Sequence, residues 1–187
     1  HRRKGFKVAV LFPDRGVSPR QKYLLSCFGD NVRSFAVDGT FDDCQAMVKA
    51  AFANAALMAA VPLTSANSIS IGRLLPQMAY YAQAALRHAR SGGRPMNFAI
   101  PSGNLGNALA AIWVRALGLP IGEIAIVSNA NRVLPDFFAT GEYRPRPSVA
   151  TIANAMDVGA PSNLERLRAG FAETGGLHTL SVDDDTI

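Results

Sequence analysis

The most informative segment of the sequence is Met96-Asn97-Phe98-Ala99-Ile100-Pro101-Ser102-Gly103-Asn104-Leu105-Gly106-Asn107. Residues 96–100 predict a buried strand, and residues 105–117 predict a helix that is apolar on nearly every side. The loop between them brings backbone N–H groups to the first turn of the helix, where unpaired donors and the helix dipole favour an anion. Phosphate suits such a loop, although an ordinary strand-to-helix turn rich in Gly and Asn has the same pattern. Since no Gly-Lys-Ser/Thr follows, the segment is not a P-loop.

On either side of this stretch, short apolar runs alternate with segments of helical period. Strands are predicted at residues 7–12, 32–37 and 124–127, and helices follow Ser18-Pro19, Thr40 and about Gly72. Strands that are apolar on both faces and separated by helices predict the α/β class, with a doubly wound, mostly parallel sheet covered by helices on both faces. We therefore expect residues 1–187 to form a single α/β region, which loosens from about residue 133 as prolines become frequent.

Composition excludes several classes of protein. The 187 residues are 49% hydrophobic and 18% charged, as in a globular domain, and apolar runs stay below the roughly 18 residues that cross a bilayer. The net charge of +5 lies in residues 1–30, where seven Lys and Arg face two Asp. A basic terminus without a basic stripe argues against nucleic acid as a partner. Cys27 and Cys44 lack the spacing of a disulfide framework or a metal site. The chain is therefore expected to be soluble and cytoplasmic.

A second candidate anion site lies in Asn67-Ser68-Ile69-Ser70-Ile71-Gly72-Arg73, where a polar loop enters a helix. The Arg73 guanidinium suits bidentate phosphate or carboxylate contacts, and Asn67 is a neutral donor that can join it. A capping Asn or Ser beside a solvated Arg would produce the same pattern. However, a positive charge opposes the dipole at a helix N-terminus, which favours a ligand for Arg73.

These segments resemble threonine synthase in content and order. The resemblance covers nearly the whole chain and is carried by three motifs: Ser65-Ala66-Asn67-Ser68-Ile69-Ser70-Ile71-Gly72-Arg73-Leu74-Leu75-Pro76-Gln77, then Pro101-Ser102-Gly103-Asn104-Leu105-Gly106-Asn107, then Asn154-Ala155-Met156-Asp157-Val158 with Ser162-Asn163-Leu164-Glu165-Arg166. Three motifs in family order are much more specific than one glycine loop.

The resemblance implies a fold type II pyridoxal-phosphate enzyme, a lyase of threonine biosynthesis that converts O-phosphohomoserine and water to threonine and phosphate. The residues that match the loop binding the cofactor phosphate are Gly103, Asn104, Leu105, Gly106 and Asn107. Asn67 and Arg73 match the residues that bind the substrate phosphate. Leu105 stands where the family usually has an aromatic, and the motif at residues 154–157 is a family marker without an assigned role.

The resemblance also implies a Schiff-base lysine that this chain does not supply. The lysines are Lys4, Lys7, Lys22 and Lys49, and none has the family's lysine context. The Ser-Gly-Asp-Thr-Gly motif expected before the first strand and the C-terminal segment that serves the pyridine ring are also absent. We therefore expect an internal fragment that contains no catalytic residue, is inactive by itself, needs the remainder of the polypeptide as its partner and exposes apolar surface that favours self-association.

Two other functions remain open from the residues alone. A phosphate pocket does not fix the carbon skeleton of its ligand, so a related phospholyase acting on another phosphorylated hydroxy amine is one alternative. The other is a non-catalytic module that binds a phosphorylated metabolite. No metal site is predicted, because His88 and His178 lack a second ligand and the acidic run Asp183-Asp184-Asp185 lacks EF-hand spacing.

Overall fold

A computed structural model of the protein describes residues 5–170 and 175–186. The chain divides into two compact units, the first ending at Leu63 and the second beginning at Thr64. Each unit contains parallel strands with helices between them, which confirms the predicted α/β class. The strands belong to two sheets, one in each unit. That residues 1–187 act as a single region stays a prediction.

The first unit is a small α/β layer. Its elements are β1 (Val8–Pro13), α1 (Pro19–Ser26), β2 (Val32–Val37), α2 (Phe41–Ala53) and α3 (Ala55–Ala60). Strands β1 and β2 pair in parallel, from Val8 opposite Val32 to Pro13 opposite Val37. Ser18 caps α1 and Pro19 occupies its first turn, as the sequence predicted. Thr40 caps α2 in the same way.

The second unit carries the three motifs of the resemblance. Its elements are α4 (Ile71–Arg90), β3 (Met96–Pro101), α5 (Gly106–Ala116), β4 (Ile121–Ser128), α6 (Val133–Thr140), a 3-10 turn (Asn154–Met156), α7 (Leu164–Gly170) and β5 (Leu177–Ser181). The strands lie in the order β3-β4-β5 and pair in parallel. Because α5 connects two neighbouring parallel strands, its N-terminus lies at the carboxyl edge of the sheet.

The core of this unit surrounds α5. Residues 108–112 of this helix are completely buried, so the predicted apolar surface on nearly every side is confirmed. Leu74 of α4, Ile124 and Ile126 of β4, and Leu164 of α7 are also completely buried in the same cluster. The helix is therefore held on several sides, which fixes the loop that precedes it.

Two elements of the structure were missed in the sequence. The helix α3 is only six residues long, and β5 reads Leu-His-Thr-Leu-Ser, with little apolar signal. The helix α6 begins at Val133 although Pro135 follows two residues later, since a proline in the first turn interrupts no intrahelical hydrogen bond. The last helix, α7, runs from Leu164 to Gly170.

Among the residues that the structure describes, no helix is both long and apolar enough to cross a bilayer.

Candidate functional site

The glycine loop, residues 102–105, joins the end of β3 to the start of α5. Leu105 occupies the N-cap position with φ of 63°, in the left-handed region, and only 1% of its surface is exposed. A bulky residue in this conformation carries backbone strain of about 1–3 kcal/mol. The Leu105 side chain belongs to the hydrophobic core, which holds the strained turn in place.

Both glycines of this segment are packed closely by other parts of the unit. A Cβ on Gly103 would lie 2.7 Å from the carbonyl oxygen of Met156, and one on Gly106 would lie 3.2 Å from the Cβ of Ser68. Any larger residue would push these neighbours apart. The glycines therefore allow the loop to lie directly against the other two motifs.

The asparagine side chains of the loop are used within the protein. Nδ2 of Asn104 donates to Oγ of Ser68 at 2.6 Å, while its Oδ1 accepts from the backbone N–H of Ser162 at 2.6 Å. Oδ1 of Asn107 accepts from the Tyr81 hydroxyl, and its Nδ2 donates to Oε1 of Gln77 at 2.7 Å. An anion at the loop would therefore be held mainly by backbone N–H groups of the loop and of the first turn of α5.

Ser102 adds one more donor at the start of the loop. It is 4% exposed, and its hydroxyl has no hydrogen-bond partner among the described residues. A buried hydroxyl without a partner is costly to retain, which is explained if a ligand accepts from it. The N–H groups, the closely packed glycines and this hydroxyl fit the phosphate group of pyridoxal phosphate.

Tyr81 holds Asn107 from the side of α4. Burial raises the pKa of the Tyr81 phenol, and the neighbouring Tyr80 contributes in the same direction. The phenol therefore stays protonated and keeps donating its hydrogen to Asn107. In the sequence, Tyr81 lies on the apolar face of a helix, where nothing distinguishes a positioning hydroxyl from a core side chain.

The second anion segment leaves donors available. Oδ1 of Asn67 accepts from the Ser68 hydroxyl at 3.0 Å and from the backbone N–H of Ile69 at 3.4 Å. Its Nδ2 has no hydrogen-bond partner among the described residues. Arg73 is exposed, and one of its nitrogens, Nη1, donates to the carbonyl of Ala66 at 3.0 Å. Because Arg has five N–H donors, most remain available for a phosphate.

Asn163 joins the two candidate loops. It is completely buried, and its Nδ2 donates to the carbonyls of Ser68 at 3.1 Å and Asn104 at 3.0 Å. Arg166 donates to Oδ1 of Asn163 and to the carbonyl of Ile69 at 2.5 Å. The structure therefore brings the loop that contains Asn67 beside the glycine loop. The sequence showed the motif that contains Asn163 but gave no reason to assign it this role.

The marker motif at residues 154–158 has a structural role too. Oδ1 of Asp157 accepts from Asn129 at 2.7 Å and from Asn131 at 3.2 Å. Thr151 donates to both carboxylate oxygens of Asp157: its hydroxyl donates to Oδ1 at 2.7 Å, and its backbone N–H donates to Oδ2 at 3.0 Å. This network fixes the backbone that follows β4. It also places Met156 and Val158 against Gly103, so the motif supports the glycine loop from one side.

The lysines lie away from these loops in the sequence. Residues 64–187 contain no lysine. In the first unit, Lys7, Lys22 and Lys49 are exposed, and Lys22 pairs with Asp14, whose pKa is lowered by this hydrogen bond. Lys4 lies outside the described residues. The unit that carries the glycine loop therefore has a candidate anion site but no lysine of its own.

A family model described as pyridoxal-phosphate dependent enzyme matches residues 2–187. The chain therefore belongs to the pyridoxal-phosphate dependent enzymes. This membership confirms the cofactor that the resemblance implied and agrees with the fit of the glycine loop to a phosphate group.

Within the family, the chain is similar to threonine synthases. It is 39% identical to the threonine synthase of Haemophilus influenzae over 98% of this chain and 45% of the relative. A crystal structure of threonine synthase from Escherichia coli matches with a TM-score of 0.84 at 37% identity, covering 96% of this chain and 43% of that one. For a structure of threonine synthase from Brucella melitensis with bound pyridoxal phosphate, the TM-score is 0.76 at 28% identity, over 96% of this chain and 45% of that one.

The resemblance read from the three motifs is thus confirmed. The chain spans less than half the length of the curated relatives it matches. The activity of a complete protein of this kind is therefore a separate question from the membership of this chain in the family.

Proposed function

We propose that this chain is the phosphate-binding part of a pyridoxal-phosphate dependent lyase that converts O-phosphohomoserine and water to threonine and phosphate. The cofactor phosphate is assigned to Gly103, Asn104, Leu105, Gly106 and Asn107. The substrate phosphate is assigned to Asn67 and Arg73. The observation that carries the proposal is the pair of loops joined by Asn163, because one enzyme that handles two phosphates needs two adjacent anion sites.

The two loops differ in the kind of anion contact they offer. The glycine loop supplies N–H dipoles and the Ser102 hydroxyl but no positive side chain, which suits a phosphate that stays bound through every turnover. The second loop supplies the Arg73 guanidinium, which forms charge-assisted contacts and suits a phosphate that arrives and leaves with substrate and product. The charges of the two sites therefore support the assignment of cofactor to one and substrate to the other.

Bound pyridoxal phosphate would supply the electron sink that stabilises carbanionic character at the carbons of an amino-acid substrate. The residues of this chain would orient it: the strained turn at Leu105 fixes the N–H groups, and Tyr81 holds Asn107 at the first turn of α5. A lysine is required for covalent attachment and proton transfer in this chemistry. Since residues 64–187 contain none, that lysine must come from elsewhere in the polypeptide.

One observation favours a second candidate for the 187 residues by themselves. They contain two candidate anion sites but have only exposed lysines among the described residues. This combination would suit a module that binds a phosphorylated metabolite without chemistry. A related phospholyase is the remaining alternative, because Asn67 and Arg73 would recognise the phosphate of several hydroxy amino compounds.

Product analysis of the protein in its complete natural reading frame tests the proposed activity. With O-phosphohomoserine and pyridoxal phosphate, we expect inorganic phosphate and threonine in equal amounts, and neither product after the cofactor is removed. Turnover of a different phosphorylated hydroxy amine in place of O-phosphohomoserine would indicate the related phospholyase. Saturable binding of O-phosphohomoserine without any turnover would indicate the binding module.

Borohydride reduction tests whether residues 1–187 by themselves lack the catalytic lysine. We expect weak, reversible binding of pyridoxal phosphate, no threonine synthase activity, and only scattered labelling of lysines below one equivalent. Peptide mass mapping identifies each labelled residue. Stoichiometric labelling of Lys4, Lys7, Lys22 or Lys49 would contradict the assignment of the lysine to another part of the polypeptide.

A further inference from the structure

Two serines lie side by side at the carboxyl edge of the β3-β4-β5 sheet. Pro101 and Val127 are the last paired residues of β3 and β4, and Ser102 and Ser128 come directly after them. The backbone N–H of Ser102 donates to the carbonyl of Val127 at 2.8 Å, which continues the parallel pairing to this point. Side chains alternate along a strand, so both serines follow the face of Ile100 and Ile126.

Both hydroxyls are buried and without partners. Ser102 is 4% exposed and Ser128 is 2% exposed, and neither Oγ has a hydrogen-bond partner among the described residues. Other serines nearby are satisfied: Oγ of Ser162 donates to Asn104 at 2.9 Å, and Oγ of Ser181 donates to the carbonyl of Asn129 at 3.0 Å. The protein thus satisfies neighbouring hydroxyls but leaves this adjacent pair unpaired, in conflict with the rule for buried polar groups.

The position of the pair is where a ligand of this fold would lie. Ligands of open α/β sheets bind at the carboxyl ends of the strands, and the N-terminus of α5 lies at the same edge. The backbone around Ser128 is held firmly, because Asn129 donates to Asp157 at 2.7 Å and Asn131 donates to the carbonyl of Val149 at 2.9 Å. The backbone that carries the Ser128 hydroxyl is therefore held in place beside the glycine loop.

We propose that Ser128 and Ser102 form a hydroxyl pair that donates two hydrogen bonds to the phosphate ester of pyridoxal phosphate. The inference rests on the proposed function and extends the cofactor site from the glycine loop to the next strand, β4. A phosphate offers enough acceptor positions for the N–H groups of the loop and for both hydroxyls. Because the hydroxyls are neutral, they add donors to the site without the positive charge found at Arg73.

The hydroxyl pair predicts opposite effects on stability and on cofactor binding. Ser128→Ala removes a hydroxyl that has no partner in the cofactor-free protein, so the melting temperature of that form should be unchanged or higher. The same change removes a hydrogen bond to a charged group in the loaded protein, so the dissociation constant for pyridoxal phosphate should rise at least about tenfold. Ser102→Ala should act in the same direction.

The experiment uses the protein in its complete natural reading frame, with the cofactor removed and then titrated back. Dissociation constants come from absorbance titration, melting temperatures from circular dichroism, and the phosphate environment from the 31P NMR signal of bound pyridoxal phosphate. The matched control is Ser181→Ala, one strand further along the same edge, where the hydroxyl already donates to Asn129. This control should lower stability slightly, with the affinity and the 31P signal unchanged.

Each outcome decides a different point. A weaker affinity and a shifted 31P signal in Ser128→Ala, with stability retained, support the hydroxyl pair. A changed absorbance spectrum with an unchanged 31P signal would place Ser128 against the ring and overturn the phosphate assignment. An unchanged affinity for pyridoxal phosphate with a lower melting temperature would mean that the Ser128 hydroxyl stabilises the fold and does not contact the cofactor. If the unaltered protein does not bind pyridoxal phosphate, the proposed function itself fails and the hydroxyl pair fails with it.

Discussion

The structure predicts the effect of replacing Asn163 in most detail. Asn163→Ala deletes two donations to partly buried carbonyls, on Ser68 and Asn104, and the acceptor for Arg166. A buried acceptor left without its partner costs about 1–3 kcal/mol, and a bond to a charged group contributes about 1.5–3 kcal/mol. Because both carbonyls are only partly buried, and Arg166 still donates to the carbonyls of Ser68 and Ile69, we expect a loss near the lower end of this sum, about 3–5 kcal/mol of unfolding free energy.

The same change should affect both anion sites together, because Asn163 is the residue that touches both loops. Cofactor affinity and substrate affinity should each fall, whereas a residue serving one loop would affect one of them. Urea unfolding followed by circular dichroism measures the stability, and binding titrations of pyridoxal phosphate and O-phosphohomoserine measure the two sites. Asn97→Ala is the matched control, since Asn97 is exposed at the opposite end of β3 and accepts one bond from the backbone N–H of Glu123 at 2.8 Å.

If Asn163→Ala folds too poorly for titration, Arg166→Met tests the same reasoning. That variant keeps the aliphatic stem and the Asn163 contacts with both loops, but it loses the guanidinium donations to Asn163 and Ile69. We expect about 2–3 kcal/mol of destabilisation and a smaller loss at both sites. A change below about 1 kcal/mol in Asn163→Ala, with both affinities within twofold of the unaltered protein, would refute the reasoning.

Three further predictions concern the surroundings of the glycine loop. Gly106→Val should weaken cofactor retention far more than Leu105→Phe, measured by absorbance after dialysis, because a side chain at Gly106 meets Ser68; equal retention in both would count against the loop assignment. Tyr81→Phe should cost about 1–2 kcal/mol at pH 7. Since the folded pKa of Tyr81 is raised, the stability that its hydroxyl contributes should be complete below about pH 10 and decline at higher pH. A difference in urea midpoint between the unaltered protein and Tyr81→Phe that stays the same below and above about pH 10 would contradict this prediction. Asp157→Asn should lose about 2–3 kcal/mol in urea unfolding because an amide cannot accept from all the donors around it; full stability would contradict the network.

Local patterns predicted the elements that carry the loops. The apolar run before Ser102 and the periodic segment after Leu105 define β3 and α5. The helix α5 is buried on most sides, whereas β3 alternates between exposed positions and buried or half-buried ones, so the burial expected for this strand is found on one face only. The short strand β5 left no clear apolar signal because its exposed positions carry His178 and Leu180. Tertiary packing, which single segments do not encode, decided that it pairs with β4.

The site was predicted only at the level of residue types. The sequence matched Gly103 and Gly106 to the loop that binds the cofactor phosphate, and the structure shows that Met156 and Ser68 occupy the space that a side chain at these positions would need. The amides of Asn104 and Asn107 look like free donors in the sequence, whereas long-range contacts such as Tyr81 with Asn107 occupy them. Which polar groups remain available depends on partners that are tens of residues away along the chain.

The most direct test of two separate phosphate sites is the effect of Arg73→Ala on the two affinities in the protein in its complete natural reading frame. Loss of a charge-assisted contact that is desolvated in the complex typically costs about 2–5 kcal/mol, so the dissociation constant for O-phosphohomoserine should rise at least about tenfold if bound substrate covers Arg73. The constant for pyridoxal phosphate should stay within twofold, and Arg87→Ala, near the other end of α4, should change neither. Loss of pyridoxal phosphate with unchanged affinity for O-phosphohomoserine would contradict the assignment of the two loops.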